Sequence, residues 1–291
     1  MKIVFHIGAN FTDGDQLVKS LVKNAADLAP QGIAIPGLAR YRRLIRETIQ
    51  GLNGGDPAPD TRDVLLDAIL DRAEVDRLVM SNSAFIGLPV RVFEEGQFYG
   101  LATMKVRALR QLFPGDDLEL CFAVRNPATF VPAAFDAVDN RPFDAFMAGI
   151  DPMTLRWSEV IARIRAAAPS ARLTVWCNED TPLIWGEVLR RMTGVAPGTA
   201  LNGEHDIAAS IMSKEGMTRF RSYLSSHPPQ SEIQHRRIIA AFLDKYALED
   251  EIEEVVDLPG WDEALVDALT RTYEADVATI ADMDGVEFIA P

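Results

Sequence analysis

Lys2-Ile3-Val4-Phe5-His6-Ile7-Gly8-Ala9-Asn10-Phe11-Thr12-Asp13-Gly14-Asp15 decides how the rest of the chain is read. The run over residues 2–7 is almost wholly apolar and stops at Gly8, which predicts a short buried strand. Residues 9–15 form a polar turn. Leu17, Leu21, Ala25 and Leu28 then recur every three or four residues, the spacing of one helix face, with Asp13 or Asp15 placed to cap its amino end. A strand, a turn and a helix in this order open many nucleotide-binding α/β folds.

Working outward, the alternation continues. Strands are predicted over 31–36, 77–81, 118–124 and 172–177, and Leu78, Val79 and Met80 are continuous enough to be covered on both faces. Helices are predicted over 41–52, 62–73, 101–112, 128–138, 158–168 and 183–192; the first carries three arginines near its start, and the fourth begins just after Pro127. Residues 51–59, with Asn53-Gly54-Gly55-Asp56-Pro57, are the clearest loop. This pattern predicts a doubly wound, mainly parallel sheet flanked by helices over residues 1–195. Beyond that point the reading changes. Residues 217–224, 233–246 and 262–281 are all helical, the last with a stripe of Leu265, Leu269, Tyr273, Val277 and Ile280, before a terminal strand at 286–289. No flexible linker intervenes, so residues 196–291 are expected as a mainly helical cap on the same single domain, 1–291.

Composition narrows the function classes. The 291-residue chain has 43 acidic and 29 basic residues and a net charge of -14, which disfavours nucleic acid and anionic membrane surfaces as partners. Its two cysteines, Cys121 and Cys177, each lie in a predicted strand and are expected as buried thiols in a reducing compartment. No stretch has the length of a membrane span, and the apolar part of the start is too short for a signal peptide, so a cytoplasmic protein is expected.

In a parallel sheet, chemistry belongs at the carboxyl ends of the strands. Three turns qualify: residues 6–15, Ser81-Asn82-Ser83 and Arg125-Asn126-Pro127. These stretches resemble the bacterial sulfotransferases, members of the P-loop nucleotide-binding fold that use 3′-phosphoadenosine 5′-phosphosulfate. That family commonly opens with a strand and His-Ile-Gly-x-x-Lys-Thr-Gly-Thr-Thr; here His6 to Asp15 is the equivalent. Its second signature, a strand entering an arginine that holds the donor 3′-phosphate, is matched by Leu120-Cys121-Phe122-Ala123-Val124-Arg125-Asn126-Pro127, and the later strand leading to Glu179 is also similar. The resemblance covers about the first two thirds of the chain. With the strand-end positions it gives a candidate donor or anion site of Gly8, Ala9, Asn10, Thr12, Gly14, Ser81, Arg125 and Asn126, no metal being expected. At these strand ends Ser81 also reads as a turn former, Arg125 either binds an anion or pairs with a carboxylate, and His6 is either a general base or a strand histidine bonded to a neighbouring carbonyl. The acceptor, a small molecule or glycan, is left open.

The departures are specific. Phe11 stands where the family has its lysine, Asp13 replaces a glycine, Gly14-Asp15 replaces the paired threonines, Ala133 replaces a serine, and Ser83 stands where many relatives carry a glutamate. Electrostatics gives them weight. Each of the two aspartates would oppose a phosphate by about 3 kcal/mol at ~5 Å and an effective dielectric of ~20. An ATPase loop is excluded, because Gly8 to Gly14 has one residue too many and no lysine follows. Asp13-Gly14-Asp15 has the Asp-x-Asp shape that some glycosyltransferases use for a metal-bound nucleotide sugar, although helix capping is the preferred reading. His235, Arg236 and Arg237 form a basic cluster that either completes an anion site from the cap or neutralises the acids at 249–254. Two functions follow: a diverged transferase, or a non-catalytic binding or assembly protein on a sulfotransferase scaffold.

Overall fold

A strand covered by helices on both faces must be apolar on both, and the predicted strands meet that condition. The computed structural model describes the chain except for residues 72–73, 139–140, 253–257 and 259. Its strands are β1 (Lys2–Gly8), β2 (Ile33–Ala34), β3 (Arg77–Ser81), β4 (Asp117–Val124), β5 (Arg172–Cys177) and β6 (Val286–Ile289). They form one sheet in the order β2-β3-β1-β4-β5-β6. Every pairing is parallel. The doubly wound α/β sheet expected from the sequence is therefore present.

Side chains alternate between two cores. Ile3, Phe5 and Ile7 of β1 join Leu120 and Phe122 of β4 in the larger one, under the helices Arg42–Leu52, Ala102–Leu112, Pro127–Asp136 and Trp157–Ala167. Val4 points the other way, to Leu17 and Leu21 of the helix Gln16–Val22 and to Trp185 and Leu189 of the helix Thr181–Thr193. Cys121 and Cys177 are buried free thiols, and burial pushes both up to about 12.

Three local expectations are adjusted, the first being the strand expected over 31–36, which is confined to Ile33–Ala34 after a 3-10 turn at Ala29–Gln31. The helix after β1 is interrupted at residues 23–24 before a second short turn, Ala25–Leu28. Asn24 explains the break, because its side chain donates to the carbonyl of Asn202 at 2.9 Å and accepts from the Asn202 amide at 2.7 Å, a distant contact that no local periodicity reveals. The helix expected over 62–73 runs Thr61–Ile69, and residues 72–73 lie outside those described.

In the last third, Asp206–Ile211, Lys214–Ser226 and Glu232–Tyr246 enclose a small core of Ala208, Met212, Met217, Phe220 and Ile239. The final helix, Glu263–Ala281, packs on Trp157–Ala167 and Pro127–Asp136 and returns the chain to the sheet as β6. Buried Asp276 anchors it, accepting from the Trp157 amide at 2.6 Å and the Ser158 amide at 3.1 Å. Among the described residues no helix is long and apolar enough to cross a membrane.

Candidate functional site

Strand order locates the site. The connection leaving β1 runs toward β2, while that leaving β4, its neighbour, runs toward β5, so the chain parts above these two strands and leaves a crevice at their carboxyl ends. Residues 9–15 and 125–127 border it. The sequence singled out both turns, and the structure brings them together.

Most polar groups of the first turn are held from elsewhere in the protein. The Ala9 amide donates to the Ala123 carbonyl at 2.9 Å, and the Asn10 amide donates to the Tyr99 hydroxyl at 3.0 Å, which returns a hydrogen bond of 2.7 Å to Asn10 Oδ1. Thr12 Oγ1 donates to the Ala9 carbonyl. Asp13 accepts from the Leu17 amide at 2.8 Å, as a helix-capping carboxylate does. Asp15, at a left-handed φ of 63°, pairs with Arg42 at 3.1 Å. Asp15 is thus engaged within the protein, and Asp13 through one oxygen only, its Oδ1 being buried with no hydrogen-bond partner among the described residues. Because Tyr99 alone satisfies two buried polar groups, Tyr99→Phe is expected to cost about 1–3 kcal/mol, read by urea denaturation. Unchanged stability would show that the turn does not depend on it.

Arg125 follows β4 and reaches the first turn, and two of its contacts are seen. Nη1 donates to the Phe11 carbonyl at 2.5 Å and Nε to Thr129 Oγ1 at 3.0 Å. Phe11 itself packs edge-on to Phe130. The helix that follows, Pro127–Asp136, begins with Asn126 as a side-chain cap on the Ala128 amide. The Asn126 amide donates to Glu179 Oε1 at 2.7 Å, and Tyr273 donates to Glu179 Oε2 at 2.8 Å. A carboxylate of the protein therefore sits where an exogenous anion would meet the positive end of that helix. A phosphosulfate fits this arrangement poorly, since the turn lacks a lysine, carries two aspartates, and has its arginine bound to the turn itself.

His6 lies fully buried on β1. Its Nδ1 is 2.9 Å from Ser81 Oγ, its ring stacks on Trp176, and Nε2 has no partner among the described residues. Burial lowers its pKa, more than the pull of Asp13, the Gly8 backbone and Asp15 raises it, so the ring is neutral at pH 7. Ser81 and His6 are brought together beneath the turn rather than in the crevice.

Comparison with protein-family models, curated proteins and solved structures gives no match. Site geometry alone therefore bears on function.

The basic cluster divides. His235 Nε2 is 2.9 Å from His205 Nε2, Arg236 pairs with Glu187 and donates to the Ala290 carbonyl, and Arg237 borders an outer groove with Tyr223. The three do not converge, because helical spacing turns successive side chains about 100° apart. Of the acids proposed to neutralise them, 253 and 254 lie outside the described residues.

Beside this turn lies a cavity of about 360 Å³ above β1 and β3. Asn10 and Asn82 line it next to the sheet, and Arg42, Arg46, Arg91 and Lys105 surround it. Only Asn10 belongs to the predicted donor set. Arg42 and Arg46 are one helical turn apart, so the arginine-rich start of that helix was the available signal; Arg91 and Lys105 join them only through the fold.

Proposed function

We propose that this chain is a sulfotransferase-like scaffold re-purposed for binding, and that it does not transfer a sulfuryl group by that family's mechanism. The order of sequence motifs supports the scaffold, and the parallel sheet with both turns at one crevice is consistent with it. The observation that carries the loss of transfer is Arg125, whose guanidinium closes the crevice onto the Phe11 carbonyl instead of facing it open. Glu179 reinforces this, because an internal carboxylate already receives the Asn126 amide.

Transfer also needs a group to take the acceptor's proton. His6 is neutral, but it is buried beneath the turn, and Ser81 occupies one of its nitrogens. A candidate base must reach the proton it removes.

Calorimetric titration of the full chain with adenosine 3′,5′-bisphosphate tests the reading. No saturable binding is expected, and no rise in melting temperature at millimolar nucleotide. Tight binding that is lost in Arg125→Gln would overturn it and restore the transferase reading.

A further inference from the structure

We propose that the cavity above β1 and β3 binds a small organic anion with a compact dianionic head and an apolar body, of the class of aryl or short alkyl phosphate monoesters. This deepens the binding reading given above and places its ligand beside the first turn.

Charge is the first argument. The chain carries -14 overall, yet the cavity is lined by four cations and, among the described residues, no carboxylate. Two of the four are balanced from outside, Arg42 by Asp15 and Arg91 by Glu94. Arg46 and Lys105 make no ion pair or side-chain hydrogen bond among the described residues. Two positive charges thus border one cavity that opens to solvent at Arg46, with no ion pair of their own among the described residues, which favours a head group carrying two negative ones. Lys105 is held under strain of the same sign, since half-burial and then the nearby Arg91 lower its pKa. A bound anion relieves that.

Shape is the second argument. The same cavity has apolar walls, Ile45 and Ile49 on one helix, Phe85 after β3, and Leu101 opposite, so an ion with its full hydration shell would leave them wet. The volume lies at the low end of the ~300–1,000 Å³ typical of small-molecule sites, enough for one ring or a short chain. Polar groups at the sheet side are fixed in place: Asn82 is buried, with Oδ1 accepting from Arg42 at 3.2 Å and from the Ala84 amide at 3.3 Å. The cleft is pre-formed.

The test uses phenyl phosphate, inorganic phosphate and phenol on the full-length chain by isothermal calorimetry. Phenyl phosphate is expected to bind at one site, with inorganic phosphate and phenol at least about ten-fold weaker, because each supplies only half of the recognition. Replacing Arg46→Gln and Lys105→Met together should weaken phenyl phosphate about 100-fold, roughly ten-fold for each charge-assisted contact. Arg46→Gln alone, at an exposed position, gives the ten-fold step in a protein whose folding is not at issue. Absence of saturable binding, equal binding of phenol, or an unchanged affinity in the double variant overturns the proposal. Equal binding of inorganic phosphate overturns the apolar-body part. Binding of adenosine 3′,5′-bisphosphate through Arg125 would defeat the earlier reading and leave these outcomes distinct from it, since Arg125 does not line this cavity.

Discussion

Replacing Glu119 with alanine is expected to destabilise the protein by about 3–5 kcal/mol, the cost of stranding one member of a buried ion pair. Glu119, on β4, and Arg77, on β3, meet at the amino edge of the sheet, with side chains only 9% and 10% exposed. Arg77 also donates from Nε to the Met192 carbonyl at 2.8 Å and from Nη2 to the Arg191 carbonyl at 3.2 Å, so it closes the end of the helix Thr181–Thr193. Lys2 at 3.7 Å and Arg172 at 4.0 Å lean on the same carboxylate. Removing it leaves three cations facing one another at the edge of the core. Gly194, which ends that helix at φ 74°, lies so close that a Cβ there would stand 3.0 Å from Arg77 Cζ. Guanidinium chloride denaturation of Glu119→Ala checks the prediction. A loss below 1 kcal/mol would mean that water screens the pair despite its burial.

The sheet was legible because its signal is local. Apolar runs such as Leu78 to Met80 and Leu118 to Val124 announce strands covered on both faces, and the helices between them force parallel crossovers. Even the four-residue β6 was visible, at 286–289. Strand order was not, since β3 inserting between β1 and β2 depends on packing across the whole sheet. The same limit applies to Asn24, whose partner Asn202 is far away in sequence.

The site divides along the same line. Placement of Arg125 near residues 8–15 followed from both lying at carboxyl ends of strands, whereas the sequence left the capping residue open between Asp13 and Asp15, and it is Asp13 that accepts from the Leu17 amide. What the chain could not disclose was direction. Whether Arg125 faces an open crevice or the Phe11 carbonyl depends on Tyr99 and Phe130, which fix the turn from distant segments. Likewise Glu179 reads as an isolated acid until Tyr273 and Asn126 are seen to share it.

Acidification from pH 7 to pH 5 is expected to remove about 2 kcal/mol of stability through His205 alone. Burial, then His235 and the cations Arg221 and Arg190, depress His205 to about 4, against only a partial pull upward from Asp206. His235 is lowered too, by burial first, although Glu204 and Glu232 oppose the shift and Arg190 adds to it. The two Nε2 atoms, 2.9 Å apart, have room for a single shared proton. The sign follows from the unfolded chain, in which each ring has the ordinary value near 6.5 and takes up its proton first. Stability is therefore full above about 6.5 and falls as pH descends toward 4. Buried His6 acts in the same direction, whereas Asp180, its carboxyl raised by burial, acts in the opposite one at the acid end. Urea denaturation at pH 7, 6 and 5 measures the slope, and the double variant His205→Gln with His235→Gln should lose most of it. A variant that keeps the full slope would assign the acid sensitivity to His6 or to the carboxylates, and would show that the paired rings are accessible enough to protonate without cost.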